Sequence, residues 1–162
     1  MQIEKSFSLI STSPEMTRRI GAGLAAGLSP GDLIGLEGEL GAGKTVFTQG
    51  LAEGLGCSEP ATSPSFVLIH IYAGRIRLAH VDLYRLSSIE AEELGLEEYL
   101  IEAAGVVEWA ERLSGLKPDL WVKFSFADSE PQARRLEFSA FSPRGAALLQ
   151  GVKSYLISET DQ

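Results

Sequence analysis

The sequence predicts an α/β domain of three layers, with a mostly parallel central sheet and antiparallel strands at its edges. Three observations predict it. Leu33-Ile34-Gly35-Leu36-Glu37 is a short apolar run of the kind that forms a buried strand. The octapeptide Gly38-Glu39-Leu40-Gly41-Ala42-Gly43-Lys44-Thr45 follows at once and fits G-x-x-x-x-G-K-[ST] without a mismatch. Residues 45–55 then set Val46, Phe47, Leu51 and Leu55 near helical spacing. Strand, glycine loop and helix in that order make a P-loop phosphate cradle, in which successive backbone N–H groups point inward and the helix N-terminus adds partial positive charge. Gly41 and Gly43 let the backbone bend and approach phosphate oxygens with no Cβ in the way. Lys44 is placed to neutralise the β- and γ-phosphates, Thr45 to hold Mg²⁺ through its hydroxyl, and the Val46 amide to reach the α-phosphate.

The other elements follow in order. Residues 3–9 alternate apolar and polar, which predicts a first strand. Ser13 and Pro14 open a helix, as N-cap and first helical residue, with Glu15 in the first turn. It runs to about Gly27, and residues 29–32 turn the chain into the P-loop strand. Residues 56–65 show no periodicity and are rich in turn formers and hydroxyls. Residues 66–72 and 75–82 predict a hairpin turning at Ala73-Gly74, and residues 87–94 an acidic-starting helix. A short apolar strand over 105–109 precedes a late antiparallel pair, 120–126 and 135–141, and a closing helix over 143–157. Neither repeats nor a linker divides the chain, so residues 1–162 are expected to form a single domain.

Composition narrows the function classes. Apolar residues make up 44% and charged residues 22%, as in an ordinary globular protein. No apolar run can span a bilayer and no export signal opens the chain. With Cys57 the only cysteine, an internal disulfide is impossible, and the whole pattern fits the cytoplasm. A net charge of −8 argues against a chain that grips nucleic acid alone, since phosphate neutralisation carries most of that affinity. A protein partner, or a nucleic acid held by one, fits better.

A phosphate–magnesium site also needs carboxylate beyond the end of a neighbouring strand. Asp82 closes the strand before it, and Glu108 closes another. Each has an ordinary alternative as a solvated acid. His80 shares a strand face with Asp82. Because Mg²⁺ prefers oxygen ligands, packing or a hydrogen bond behind the ligands suits this histidine better than coordination. Thr62 and Ser63 offer hydroxyls in the unpatterned loop, in the manner of a switch segment ordered by γ-phosphate and Mg²⁺. Trp109 either fills the core or walls the site.

This constellation resembles the TsaE family, small bacterial P-loop ATPases of tRNA threonylcarbamoyladenosine synthesis. The resemblance is carried by the octapeptide at 38–45, Ser63-Pro64-Ser65-Phe66, His80-Val81-Asp82-Leu83-Tyr84-Arg85 and Val107-Glu108-Trp109-Ala110-Glu111, in that order. Ser65 stands where the family frequently has Thr, which keeps the hydroxyl. The resemblance implies ATP phosphate binding at Gly41, Ala42, Gly43, Lys44, Thr45 and Val46. It implies Mg²⁺ at Thr45 with Asp82 and Glu108, and a nucleotide close to Ser13, Thr62, Ser63, Trp109 and one of Arg134 or Arg135. It further implies ATP hydrolysis, with Lys44, Asp82 and Glu108 as the catalytic set, in a complex with the TsaD and TsaB proteins, which would hold the tRNA. Two other readings use the same cradle: a P-loop small-molecule kinase, and a nucleotide-gated binding module whose hydrolysis is incidental.

Overall fold

Leu33-Ile34-Gly35-Leu36 carries no polar side chain, and it is buried as the middle strand of a seven-stranded sheet. The computed structural model describes residues 3, 5–61 and 68–160. Its strands are β1 (Lys5–Ser11), β2 (Leu33–Glu37), β3 (Ile69–Ala73), β4 (Arg77–Asp82), β5 (Ala103–Glu108), β6 (Leu120–Phe126) and β7 (Arg134–Ala140). Its helices are α1 (Pro14–Ala25), α2 (Lys44–Gly54), α3 (Ser88–Glu92), α4 (Leu96–Tyr99) and α5 (Pro143–Thr160), with a 3-10 turn at Ala110–Arg112. The strand order is β1-β7-β6-β2-β5-β4-β3. β6, β2, β5 and β4 run parallel, β3 is antiparallel to β4, and β7 is antiparallel to both β6 and β1. The parallel centre with antiparallel edges is as expected.

Period-2 alternation sorts the core onto two faces. Ile34 and Leu36 join Ala104, Val106, Leu78, Val122 and Phe138 beneath α1, α2 and α5. Leu33 joins Val81 and Val107 beneath Ala91 of α3, Leu96 of α4 and Ala110. The second layer is the thinner one. Beyond it the same face of β6 and β7 is polar and exposed, with Lys123 opposite Glu137.

Helix α2 carries the P-loop's downstream end, so its seating positions the site. Phe47 is fully buried, edge-on to Phe124 at 5.6 Å and tilted against Phe138 at 6.4 Å. Such pairs contribute about 0.5–1.5 kcal/mol beyond their burial. On its other side α2 meets α1 backbone to backbone: a Cβ at Gly50 would overlap the Arg18 carbonyl, and one at Gly21 the Phe47 carbonyl. Arg75 donates to the Ala25 and Leu28 carbonyls, which ties the end of α1 and the turn after it to the β3–β4 connection. Below β2, Asp32 takes a two-point bond from Arg144 of α5, at 2.8 and 2.9 Å, and also accepts from the Ser29 amide. The entry to the P-loop strand and the closing helix are thereby tied together.

Several boundaries differ from the sequence expectation, each for a local reason. β1 runs on to Ser11 because all seven of its residues pair with β7. Ala73 stays in the ladder opposite Arg77, so the hairpin turns over residues 74–76 rather than at Ala73-Gly74. The expected strand over 66–72 begins, within the described residues, at Ile69. The acidic helix ends at Glu92 and a second short helix follows, because Gly95 adopts φ 68 and restarts the chain as α4. Four residues are too few to show a helical period, so α4 is invisible to pattern reading.

The tight crossing of α1 and α2 makes a direct prediction. Gly50→Ala should destabilise the fold by about 3 kcal/mol, as overpacking against backbone does, and lower the melting temperature by roughly 6–12 °C. Thermal unfolding followed by circular dichroism checks this, and an unchanged melting point would mean that the two helices separate freely.

Candidate functional site

The site forms where β2 ends and α2 begins. Gly41 and Gly43 take φ of 81° and 110°, in the left-handed region that favours glycine. Helix α1 has its first-turn amide satisfied by a side chain, Ser13 Oγ accepting from Met16 N at 3.1 Å. Helix α2 has no such cap and no acid in its first turn. Its first-turn amides therefore stay available at the positive end of the helix dipole, which is the condition for anion binding.

Lys44 lies over this opening. Its Nζ donates to the Gly38 carbonyl and, at 3.1 Å, to the Glu39 carbonyl, leaving one of three ammonium protons for another acceptor. The Trp109 ring covers the ammonium, 4.5 Å from its centroid. To bring the ring there Trp109 sits at φ 60, the one non-glycine residue with positive φ among those described. Such a conformation costs on the order of 1–3 kcal/mol and marks a residue held by its surroundings. Tyr84, at 4.9 Å between ring centroids, and the Arg112 guanidinium, 5.5 Å above the indole, complete the stack.

Acids approach from β4 and β5, whose ends lie in register with Asp82 beside Glu108. Glu108 is buried, 3% exposed. Thr45 Oγ1 donates to its Oε1 at 3.2 Å, and its Oε2 lies 2.6 Å from His80 Nε2. Asp82 turns to its own connection, Oδ1 accepting from Tyr84 N at 2.9 Å. The two acids are thus not equivalent: Glu108 is the one that touches the P-loop hydroxyl. Burial pushes the Lys44 ammonium below the usual lysine range, against the opposing charges of Glu108, Glu111 and Asp82. Burial raises Asp82 and Glu111 above the usual carboxylate range. For Asp82 the Tyr84 amide opposes that rise and the Glu108 charge reinforces it.

Two hollows flank the loop. One, about 90 Å³, has Pro14, Thr17, Gly41, Gly43, Val46 and Arg134 in its walls. The other, about 460 Å³, lies between Trp109, Glu111, Glu37 and Glu39 on one side and Lys123 and Phe126 on the other. A further hollow of about 420 Å³ by Arg77, Tyr99 and Glu102 opens at Ala103, the far end of β5 from Glu108.

Of the two candidate arginines, Arg134 is beside the loop. It shares a strand face with buried Leu136, stacks on Phe126 at 4.5 Å and donates to the Gly41 carbonyl at 3.4 Å. Arg135 points to the opposite, exposed face. The Ser13 hydroxyl is taken by its capping bond, and Pro14 and Thr17 are the residues of that segment in the wall. Ala42 is buried with its amide on the Glu39 carbonyl. Thr62 and Ser63 lie outside the described residues. Sequence reading passed over Thr17, Glu111 and Arg112. The first follows Pro14 by one helical turn, which was the available signal.

The donor set suits a hard cation. Thr45 Oγ1 and Glu108 Oε1 are neighbouring oxygens, and Mg²⁺ characteristically takes one or two carboxylates with water and phosphate oxygens completing its octahedron.

Comparison with known proteins identifies the family. The family model described as "Threonylcarbamoyl adenosine biosynthesis protein TsaE" matches residues 11–136, from the last residue of β1 past Arg134. The chain belongs to the TsaE family. It is 38% identical over 148 residues to the tRNA threonylcarbamoyladenosine biosynthesis protein TsaE of Nostoc sp., covering 88% of this chain and 91% of that one. Identity to the Bacillus subtilis protein of the same name is 39% over 136 residues, covering 83% and 85%. The crystal structure of Bacillus subtilis YdiB superposes with a TM-score of 0.75 at 32% identity, over 96% of this chain and 98% of that one. The sheet and helix arrangement is therefore shared with a solved relative, and the TsaE match takes in the P-loop and both acids. Among the described residues no helix is long and apolar enough to cross a membrane.

The raised pKa of Asp82 has a consequence for stability. Folding disfavours its ionised form, so its contribution is unfavourable above the folded pKa and vanishes below the unfolded one. Asp82→Asn keeps the oxygen that accepts from Tyr84. It should raise the melting temperature at about pH 7, with the gain fading as pH falls to about 4. Melting curves across that range measure it, and a gain that grew on acidification would have the sign wrong.

Proposed function

We propose that this chain is a magnesium-dependent ATPase that supports the TsaD–TsaB complex in threonylcarbamoyladenosine modification of tRNA. Membership of the TsaE family supports the pathway. The ATPase reading is carried by one observation: Lys44, the uncapped start of α2 and the Thr45–Glu108 pair converge on the mouth of the P-loop. Amides of residues 43–46 would take phosphate oxygens, with Lys44 adding a cation whose position its two carbonyl bonds fix in advance. Thr45 Oγ1 and Glu108 Oε1 would hold Mg²⁺, which when bound supplies charge neutralisation at the β- and γ-phosphates. The hollow beside Thr17, Val46 and Arg134 would take the nucleoside side. Asp82, beside Glu108 and raised in pKa, is the candidate to orient water or accept a proton.

The arginines support the expectation of weak activity in isolation. Arg134 donates to the Pro131 and Ala133 carbonyls and stacks on Phe126, while Arg112 donates to Leu83 and Tyr84 carbonyls and lies over two rings. These contacts tie both guanidiniums to the protein, whereas an arginine that meets charge developing on a transferred phosphoryl group contributes about 10³–10⁵ in rate. A partner would have to supply or release one. The kinase alternative loses ground because α3 and α4 pack on the sheet face opposite α2, not over the P-loop as a lid.

Binding comes first. Lys44→Ala should weaken ATP binding by about 2–5 kcal/mol, as loss of a charge partner does. Thr45→Ala should weaken binding in magnesium more than in EDTA. Calorimetry decides both, and an unaltered affinity in Lys44→Ala would remove the cradle. Hydrolysis comes second. Phosphate release by the isolated chain should be slow and rise markedly with TsaD and TsaB, whereas Asp82→Ala and Glu108→Ala should lose the stimulated rate and keep most nucleotide affinity. Full stimulation in both variants would place the catalytic acids elsewhere.

A further inference from the structure

His80 stands where an apolar residue would be the cheaper choice. Its neighbours on β4, Leu78, Ala79 and Val81, are all fully buried, and so is the imidazole. Nε2 lies 2.6 Å from Glu108 Oε2, while Nδ1 is buried with no hydrogen-bond partner among the described residues. An unmatched polar atom in the interior costs stability, so the ring is there for what its other nitrogen does. A carboxylate oxygen accepts in such a bond, which puts the shared proton on Nε2. That bond holds Oε2 on the histidine side and leaves Oε1, the oxygen that Thr45 Oγ1 reaches, facing the P-loop.

A carboxylate with one oxygen withdrawn offers a single donor. Magnesium, bound at close range in a near-ideal octahedron, accepts such a ligand, whereas calcium readily takes both oxygens of one carboxylate at longer range. We infer that His80 is a positioning residue that holds Glu108 as a one-oxygen ligand and so suits the site to magnesium rather than calcium. The inference rests on the phosphate–magnesium reading above and extends it to a residue that touches neither ligand.

The test uses the full chain and ADP, titrated calorimetrically in EDTA, in magnesium and in calcium. His80→Gln carries an amide to the reach of Nε2 and should keep the tighter binding that magnesium confers. His80→Asn carries it only to the reach of Nδ1. It should lose about 10–100-fold of the magnesium effect, as loss of a group that orients a metal ligand does, with the calcium effect kept and the EDTA affinity unaltered. An unchanged magnesium-to-calcium ratio in His80→Asn would overturn the inference. A second measurement needs no substitution at this site: ¹⁵N spectra of the two histidines, with His70→Gln for assignment, should show His80 as the Nε2–H tautomer. An Nδ1–H tautomer would overturn it equally. Wild-type chain that bound no ADP in any medium would defeat the nucleotide reading instead, leaving the tautomer to judge the imidazole–carboxylate bond.

Discussion

A buried carboxylate at the end of a central strand is expensive, and the P-loop end of this molecule is built around Glu108. Taking an ionised group out of water costs several kcal/mol unless hydrogen bonds replace its hydration. Glu108 obtains one such bond from the Thr45 hydroxyl and a second from His80. Lys44 is near enough for its charge to be felt but directs its ammonium to two backbone carbonyls instead. Cation and anion are therefore both desolvated and kept apart. A direct ion pair would be more comfortable for the folded chain, and it would close the gap in which the proposed phosphate–metal cluster would sit. The left-handed Trp109 belongs to the same arrangement, because it roofs the ammonium from the residue next to Glu108.

Such a site keeps its geometry only if α2 cannot shift, and the fold restrains that helix on two sides. Its sheet side is keyed by Phe47 between two phenylalanines. Its outer side is locked to α1 by backbone contact at Gly21 and Gly50, where no side chain can act as a cushion. The carbonyl end of α1 is held by Arg75 from the β3–β4 connection, and the foot of β2 by the Asp32–Arg144 fork. Displacing the loop by an ångström would disturb several of these at once. That matters because phosphoryl-transfer sites work chiefly through positioning and electrostatics.

What was legible in the sequence follows from the range of the interactions concerned. The octapeptide, the Ser13 cap and the apolar run of β2 are local, so their types and places could be read directly. The parallel centre followed from the same local units, since a strand–loop–helix unit requires a crossover. Non-local facts were harder. Nothing in the chain distinguishes Arg134 from Arg135 until the pairing of β7 shows which one shares a face with Leu136. Asp82 and Glu108 look alike at strand ends, and they separate only when the turn after β4 claims Asp82 through the Tyr84 amide. The thin second layer was invisible for a different reason: α3 and α4 are too short for periodicity to show, and Gly95 divides them.

The charge pattern bears on the proposed activity more than any single distance does. Glu37, Glu39, Asp82, Glu108 and Glu111 gather near Lys44, with Lys123 across the hollow, on a chain of net charge −8. A bare polyphosphate entering this mouth meets repulsion that the helix dipole and Lys44 only partly offset. With a divalent cation on the phosphates the same acids would turn from opponents into ligands or near neighbours of positive charge. Burial is the first cause of the raised pKa of Asp82 and Glu111, and the charges of Glu108 and Glu37 respectively add to it. The proposed metal dependence would on this account be a property of the whole mouth rather than of Thr45 alone. A cationic side chain from a partner would relieve the same field from outside, so on the proposed function metal and partner would act through one electrostatic cause.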